Sequence, residues 1–485
     1  MTSERSWVAS ERVALPDEEG GLRIAAACVA IDGPHLGEVE VVEDLSAAVV
    51  ARRSAGQEVR DYGARLVTPA FINAHAHLSL GMLRGFDMRR AARGNMVEEL
   101  FFALETRITP DDIRAFTRMG AYESLLHGVG LVWDHYYAGE VVAEALAEVG
   151  LAGVVAPTLQ DLAGPGAEVW EAQLAATTRI DERADLAERG VVAALGPHAT
   201  DTVSDRLWGA ALEVAQARNL PLHAHLAQSP EEVARLDRRH ALSPTAWLER
   251  LGVLSEAPSA VFAHAIYVSR GDLATLAARG SHLCWCPMSA MVFGFPARVG
   301  LWEAMQVGWA VGTDCASNND GMNVQQELRS IAAQRTVGGS WTRAYQAFLD
   351  APRFHADLAA RAWDARSVRF SEHEALATPE SLLGRVWSIP GRMHPKLRAG
   401  VIAPGALANL LIWDLEHPAL WPALDPLHTL AMADATKAIH GLIVAGREVG
   451  EAGRFHQSVI EGERYAEARR EAQARLDELL ARIGV

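Results

Sequence analysis

The run LVTPAFINAHAHL (residues 66–78) is an apolar stretch that ends in two histidines one residue apart. Side chains two apart on a strand face the same way, so His75 and His77 can aim at one ion. Seven more short apolar runs follow, each closing on polar or ionisable residues. They are GLVWDHY (130–136), GVVAPTL (153–159), VVAALGPHA (191–199), PLHAHLA (221–227), SAVFAHA (259–265), SHLCWCP (281–287) and WAVGTD (309–314). Helical patterns separate many of them, at 138–149, 205–218, 229–251 and 269–279. Strands alternating with helices predict parallel βαβ units, and the count of eight favours a closed (β/α)8 barrel of TIM type, an α/β fold, over an open sheet. The ionisable residues gather at the C-terminal ends of the strands, where such barrels hold their active sites.

Outward from the barrel, both ends of the chain change rhythm. LRIAAACVAI (22–31) and VEVV (39–42) read as short strands, and the pattern returns in VIAPGALANLLIWDL (401–415) and AIHGLIVAGREV (438–449). Ala445-Gly446 suits a hairpin turn between the last two strands. The expected division is a first part of a small β-sandwich domain at 1–65, the barrel at 66–385, and the second part at 386–485. The last segment includes GERYAEARREAQARLDELLARIG (462–484), a charged amphipathic helix expected to lie along a surface.

Composition removes several function classes. The 45 Lys and Arg against 61 Asp and Glu leave a formal charge of −16, which argues against a nucleic acid polymer as partner, since that binding needs clustered cations. No run approaches the ~20 apolar residues of a membrane span. The first twenty residues lack the apolar core of a signal peptide. Four cysteines in 485 residues make no disulfide framework, and Cys284-Trp285-Cys286 reads as a pair of buried strand thiols. The expected setting is cytoplasmic and soluble.

Beyond His75 and His77, His225 closes the fifth strand, His264 lies on the sixth and Asp314 closes the eighth. Three imidazoles and one carboxylate suit one divalent ion, Zn²⁺ with Fe²⁺ as the alternative, and leave a position for water. Such a water becomes acidic near neutral pH and can act as nucleophile, with Asp314 placed to take its proton.

The motifs PAFINAHAHL (69–78), HAHLAQ (223–228), Ala263-His264 and GTDCASNN (312–319) resemble the amidohydrolase superfamily. More narrowly, they resemble its aminohydrolase and chlorohydrolase branch, which holds S-adenosylhomocysteine, guanine and 8-oxoguanine deaminases and triazine hydrolases. The resemblance runs from about Leu66 to Arg329. It implies a mononuclear metal-dependent hydrolase in which hydroxide held by the metal attacks an sp² carbon of a small N-heterocycle. Its implied ligands are His75, His77, His225 and Asp314, and His264 would shuttle protons and polarise the substrate. His198 and Glu105 would touch substrate, and Asn318 would line the pocket or cap a turn. His223 points inward beside His225 but matches no ligand, so it is expected to fill the barrel. The resemblance also implies a homo-oligomer.

Three positions depart from the branch. Gln228 stands where a glutamate usually carries a proton to the ring under attack, and an amide cannot do so at neutral pH. The nearby Glu231 and Glu232 are expected on the following helix, facing away. This departure keeps a second reading open, an amidase-like hydrolase of a cyclic amide or acyl bond. CPMSAM (286–291) replaces a usual Asn with Ala290, so Met288, Met291, Phe293 and Phe295 become candidates for an apolar wall. Asn409 replaces a usual aspartate in the terminal β-region and is expected to have no catalytic part. Finally, the only lysines are Lys396 and Lys437, so no carbamylated lysine can bridge two metals on the barrel strands.

Overall fold

The computed structural model describes residues 5–17, 21–86, 97–293, 299–331, 343–353, 356–362, 364–365 and 378–483. Its centre is a set of parallel strands: β1 (Phe71–Ala76), β2 (Val129–Tyr136), β3 (Ala152–Leu159), β4 (Val191–Ala193, followed by Gly196–Pro197), β5 (Leu222–Leu226), β6 (Ala260–His264), β7 (His282–Trp285) and β8 (Gly308–Val311). β1 to β4 pair in order as one parallel sheet and β5 to β8 as another. Parallel bridges Leu195–Leu222 and Ala76–Asp314 join the two sheets at both seams, which completes the TIM-barrel arrangement. Every residue of β2 and β3 is buried, as a parallel sheet covered on both faces requires.

The seam between β1 and β8 is tight because of two residues. A Cβ at Gly312 would stand 2.7 Å from the His75 carbonyl oxygen and 2.8 Å from its nitrogen, so only glycine lets the strands approach. Asn73 then ties them, donating to Thr313 Oγ1 at 2.7 Å and accepting from the Thr313 N–H at 3.0 Å. The Asp314 N–H donates to the His75 carbonyl at 3.0 Å, which fixes the eighth-strand aspartate beside the first-strand histidines.

Most expected helices are present. Asp205–Arg218 begins at the Ser204 cap and ends at left-handed Asn219. The single helix expected over 229–251 is two, Pro230–His240 and Pro244–Arg250. Ala241 turns left-handed (φ 53°), and the Ser243 side chain caps a new helix whose first residue is proline, which cannot continue the old one.

The terminal strands hydrogen-bond into one eight-stranded sheet. Leu410–Trp413 lies between Ile439–Val444 and Leu66–Pro69, and the latter pairs in turn with Ser6–Pro16. Residues 66–69 therefore belong to this sheet, and the barrel proper begins at Phe71. Ala445 (φ 46°) and Gly446 (φ 75°) make the expected hairpin turn with both centres left-handed. Asn409 donates to the Gly130 carbonyl and accepts from the Ala445 N–H, both at 2.8 Å. The C-terminal helix Glu463–Ile483 packs Ala472 and Leu479 on Ala115 and Phe116, with Arg118 paired to Glu471 at 2.5 Å. All four cysteines are buried and free. Among the described residues no helix is long and apolar enough to cross a membrane.

Candidate metal centre and substrate cavity

His75 lies within β1, and His77 follows one residue past its end. Their rings meet edge to face at 4.8 Å, and both Nε2 atoms approach Asp314 Oδ1, at 4.0 Å and 3.5 Å. His225, on β5, brings its Nε2 to 3.4 Å from the Nε2 of His77. The strands thus gather the four expected ligand residues from three chain regions.

The outer faces of these rings decide what the inner faces can do. The His77 Nδ1–H donates to the His135 carbonyl at 2.5 Å, and the His225 Nδ1–H donates to the His198 carbonyl at 2.8 Å. His75 Nδ1 lies 2.9 Å from His223 Nε2, while His75 Nε2 is buried without a hydrogen-bond partner among the described residues. Burial, reinforced by repulsion from neighbouring imidazoles, holds His75 and His225 well below the ordinary histidine pKa. A neutral ring that donates through Nδ1 presents a lone pair at Nε2. The facing Nε2 atoms of His77 and His225 cannot hydrogen-bond to each other in that state, whereas a cation satisfies both. Two overlapping clusters, His75 with His77 and Asp314, and His75 with His225 and His264, bring imidazole nitrogens and a carboxylate oxygen within reach of one divalent ion.

Asp314 is clamped by its other oxygen. Oδ2 accepts from Ser289 Oγ at 2.7 Å and from Asn318 Nδ2 at 3.0 Å, leaving Oδ1 toward the histidines. Asn318 therefore lines the cavity and also orients the aspartate. Asp314 sits at φ 61°, and His264 at φ 73°, so the chain turns sharply at both as the strands finish. The His264 ring stacks on His225 at 5.4 Å and 14°. Burial lowers its pKa, against which the Asp314 charge acts to raise it.

These groups open into a cavity of ≈ 360 Å³, a size suited to a small molecule. His198, Glu105, Gln228 and Asn318 all reach its wall. His198 packs on Phe102 at 5.6 Å, its Nδ1 lies 2.9 Å from Thr202 Oγ1, and burial lowers its pKa to about 3. Glu105 accepts from Tyr137 Oη at 3.3 Å, and burial pushes its carboxyl up to about 8.

Two expectations fail here. Glu231 lines the cavity, and Glu232 is buried toward the strand ends, so neither faces away. The reason is the start of their helix: the Ser229 cap and Pro230 set its first turn directly on the end of β5. Glu232 accepts from Thr200 Oγ1 at 2.5 Å and from the N–H groups of Ala227 at 3.0 Å and Gln228 at 2.8 Å, so it shapes the loop that carries Gln228. Burial, and the charge of Asp201, push it up to about 7. The apolar wall is also placed differently. Ala290 lines the cavity while Met288 and Met291 do not, the side chain of Phe293 and the whole of Phe295 lying outside the described residues.

Sequence reasoning missed His135. It is 1 % exposed, lines the cavity, and carries an Nε2 without a protein partner. Its position near the end of β2, in the Asp134-His135-Tyr136 close of GLVWDHY, was the signal that could have found it. Tyr136, Tyr137 and Thr158 were missed in the same way.

Known proteins resemble the chain along nearly its whole length. A 5-methylthioadenosine/S-adenosylhomocysteine deaminase of Symbiobacterium thermophilum is 28 % identical over 443 residues, 90 % of this chain and 89 % of that protein. A zinc-bound structure of an adenosine deaminase from Xanthomonas campestris superposes with a TM-score of 0.77 at 19 % identity, covering 98 % of each chain. An atrazine chlorohydrolase from Arthrobacter aurescens TC1, complexed with zinc, gives 0.73 at 20 % identity over 97 % of this chain and 99 % of that one. The sequence pattern of the amidohydrolase family matches residues 66–348, the span that carries all eight barrel strands and every residue of the centre, and the chain belongs to that family.

Proposed function

We propose that the chain is a mononuclear metal-dependent aminohydrolase, which attacks an sp² carbon of an N-heterocyclic small molecule and releases ammonia or an amine. The ligands are His75, His77, His225 and Asp314, and zinc is the ion. The observation that carries this reading is the pair of Nε2 atoms, His77 and His225, facing each other at 3.4 Å with both Nδ1–H groups donated outward to carbonyls. When bound, a divalent ion there supplies an acidified water near neutral pH and a Lewis acid.

The protein's own residues do the rest. His264, neutral and stacked on His225, takes and returns a proton at the reacting centre. Asp314 Oδ2 is held by Ser289 and Asn318, and Oδ1, turned toward the ligand histidines, would take the water's proton while contacting the ion. His198 meets the substrate edge, and Phe101, Phe102 and Leu80 close the apolar side of a slot for a flat ring. Residues 71–385 form the reacting unit, and 1–69 with 386–485 form the β-rich unit.

The relatives' names direct the test. Metal analysis would accompany an ammonia-release screen over 5′-methylthioadenosine, S-adenosylhomocysteine, 5′-deoxyadenosine and aminotriazines. One ion per chain with metal-dependent release from any of them supports the reading. Full turnover by metal-free protein would sink it. Gln228 favours one second reading, the amidase-like hydrolase, because an amide nitrogen leaving group can be protonated by His264 without a glutamate. Release of an acid from cyclic amides, with no ammonia from the heterocycles, would favour that reading.

A further inference from the structure

We propose that His223 is a positioning residue for the metal centre, acting as the hydrogen-bond acceptor that fixes the tautomer of His75. The proposal rests on the metal-centre reading above and concerns a residue outside its ligand set. His77 and His225 each donate Nδ1–H to a backbone carbonyl. His75 has no carbonyl in that place. Its Nδ1 meets the Nε2 of His223 at 2.9 Å, and both rings are fully buried.

Only one arrangement of protons on this pair lets His75 bind an ion. Nε2 of His75 is the atom that faces Asp314, so its lone pair must be free and its proton must sit on Nδ1. That proton is donated to His223 Nε2, whose own proton then lies on Nδ1. The opposite arrangement would put a buried N–H on His75 Nε2, aimed at the other ligands. A neutral imidazole thus does here what a carbonyl does for the other two histidines.

Packing holds the acceptor in place. The His223 ring stands edge to face against Trp133 at 5.5 Å and 87°, and against His135 at 5.6 Å and 87°. It also meets the His75 ring at 5.0 Å and 84°. With neighbours on three sides the ring cannot turn its Nε2 away. Its inward direction follows from the spacing to His225 two residues later on β5.

The experiment compares wild type with His223→Gln and His223→Phe. Gln retains an acceptor at about the reach of Nε2, and Phe keeps the ring volume without one. Zinc affinity is read by chelator competition, site geometry by the visible spectrum after Co²⁺ loading, and folding by the melting temperature of the metal-free proteins. Phe should weaken zinc ~10–100-fold and alter the Co²⁺ spectrum, as loss of a ligand's outer partner does, while Gln stays near wild type. Unchanged affinity in a folded Phe variant would overturn the proposal, as would Gln falling as far as Phe. Should Phe fail to fold, ¹⁵N NMR of zinc-loaded wild type decides. Protonated Nδ1 on both His75 and His223 supports the proposal, and a proton on His223 Nε2 overturns it. Wild type that binds no metal would count against the metal centre itself.

Discussion

Ser289 Oγ donates to Asp314 Oδ2 at 2.7 Å, across 25 residues of sequence and from the helix after β7 to the end of β8. Together with Asn318 it holds one carboxylate oxygen so that the other faces the histidines. The centre is therefore set by side chains that never touch the ion, and several measurable consequences follow from that arrangement.

Removing a ligand should remove the ion. His225→Ala deletes one of the two facing lone pairs, and zinc affinity should fall by at least ~100-fold, beyond the range seen for outer partners. Metal content per chain after dialysis is the measurement. Ser289→Ala should give a milder loss, ~10-fold, because Asn318 still holds the carboxylate.

Gln228 should be the position that limits deamination. Gln228→Glu places a proton carrier at the cavity wall, and general acid catalysis is worth ~10²-fold or more. A rise of that order in kcat/KM for ammonia release is expected, with little change in metal content. Loss of all activity in this variant would favour the amidase-like reading.

Glu105 should give the pH dependence a basic limb. Its carboxyl, pushed up to about 8 by burial, should hold a proton at neutral pH. Activity of wild type should decline as pH rises through about 8, and Glu105→Gln, neutral throughout, should lose that limb. Stability follows the same sign. Between the unfolded value of 4.5 and about 8 the folded chain keeps a proton that the unfolded chain has lost, so this group's contribution falls as pH rises across that window. Denaturant midpoints of the Gln variant should be flatter with pH than those of wild type.

Glu232→Ala should be severe. It strands three donors, the Thr200 hydroxyl and the N–H groups of Ala227 and Gln228, in a buried site. At roughly 1–3 kcal/mol for each unsatisfied group, a loss of about 3 kcal/mol is expected in chemical denaturation, and Glu232→Gln should lose less.

The barrel was legible because its signals are local. Alternation of apolar runs with helical patterns, and ionisable residues at strand ends, are properties of short windows. They placed the strands and gave His75, His77, His225, His264 and Asp314 in order, while the family resemblance pointed to His198 and Asn318. The split of 229–251 into two helices is legible too, in Ser243-Pro244, where a capping serine and a first-turn proline start a new helix.

The sequence by itself determined which residues end the strands, because strand period and chain order depend only on neighbours. Tertiary structure alone decided which of those residues meet. His75 and His223 are 148 positions apart, and no local pattern could show that one nitrogen faces the other at 2.9 Å. The closure of β8 on β1 through Gly312 brings Asp314 to the histidines, and the angle of one helix on β5 turns Glu231 and Glu232 inward. Those outcomes rest on the closure of the barrel and the rotation of its loops, which are set by the packing of the whole molecule.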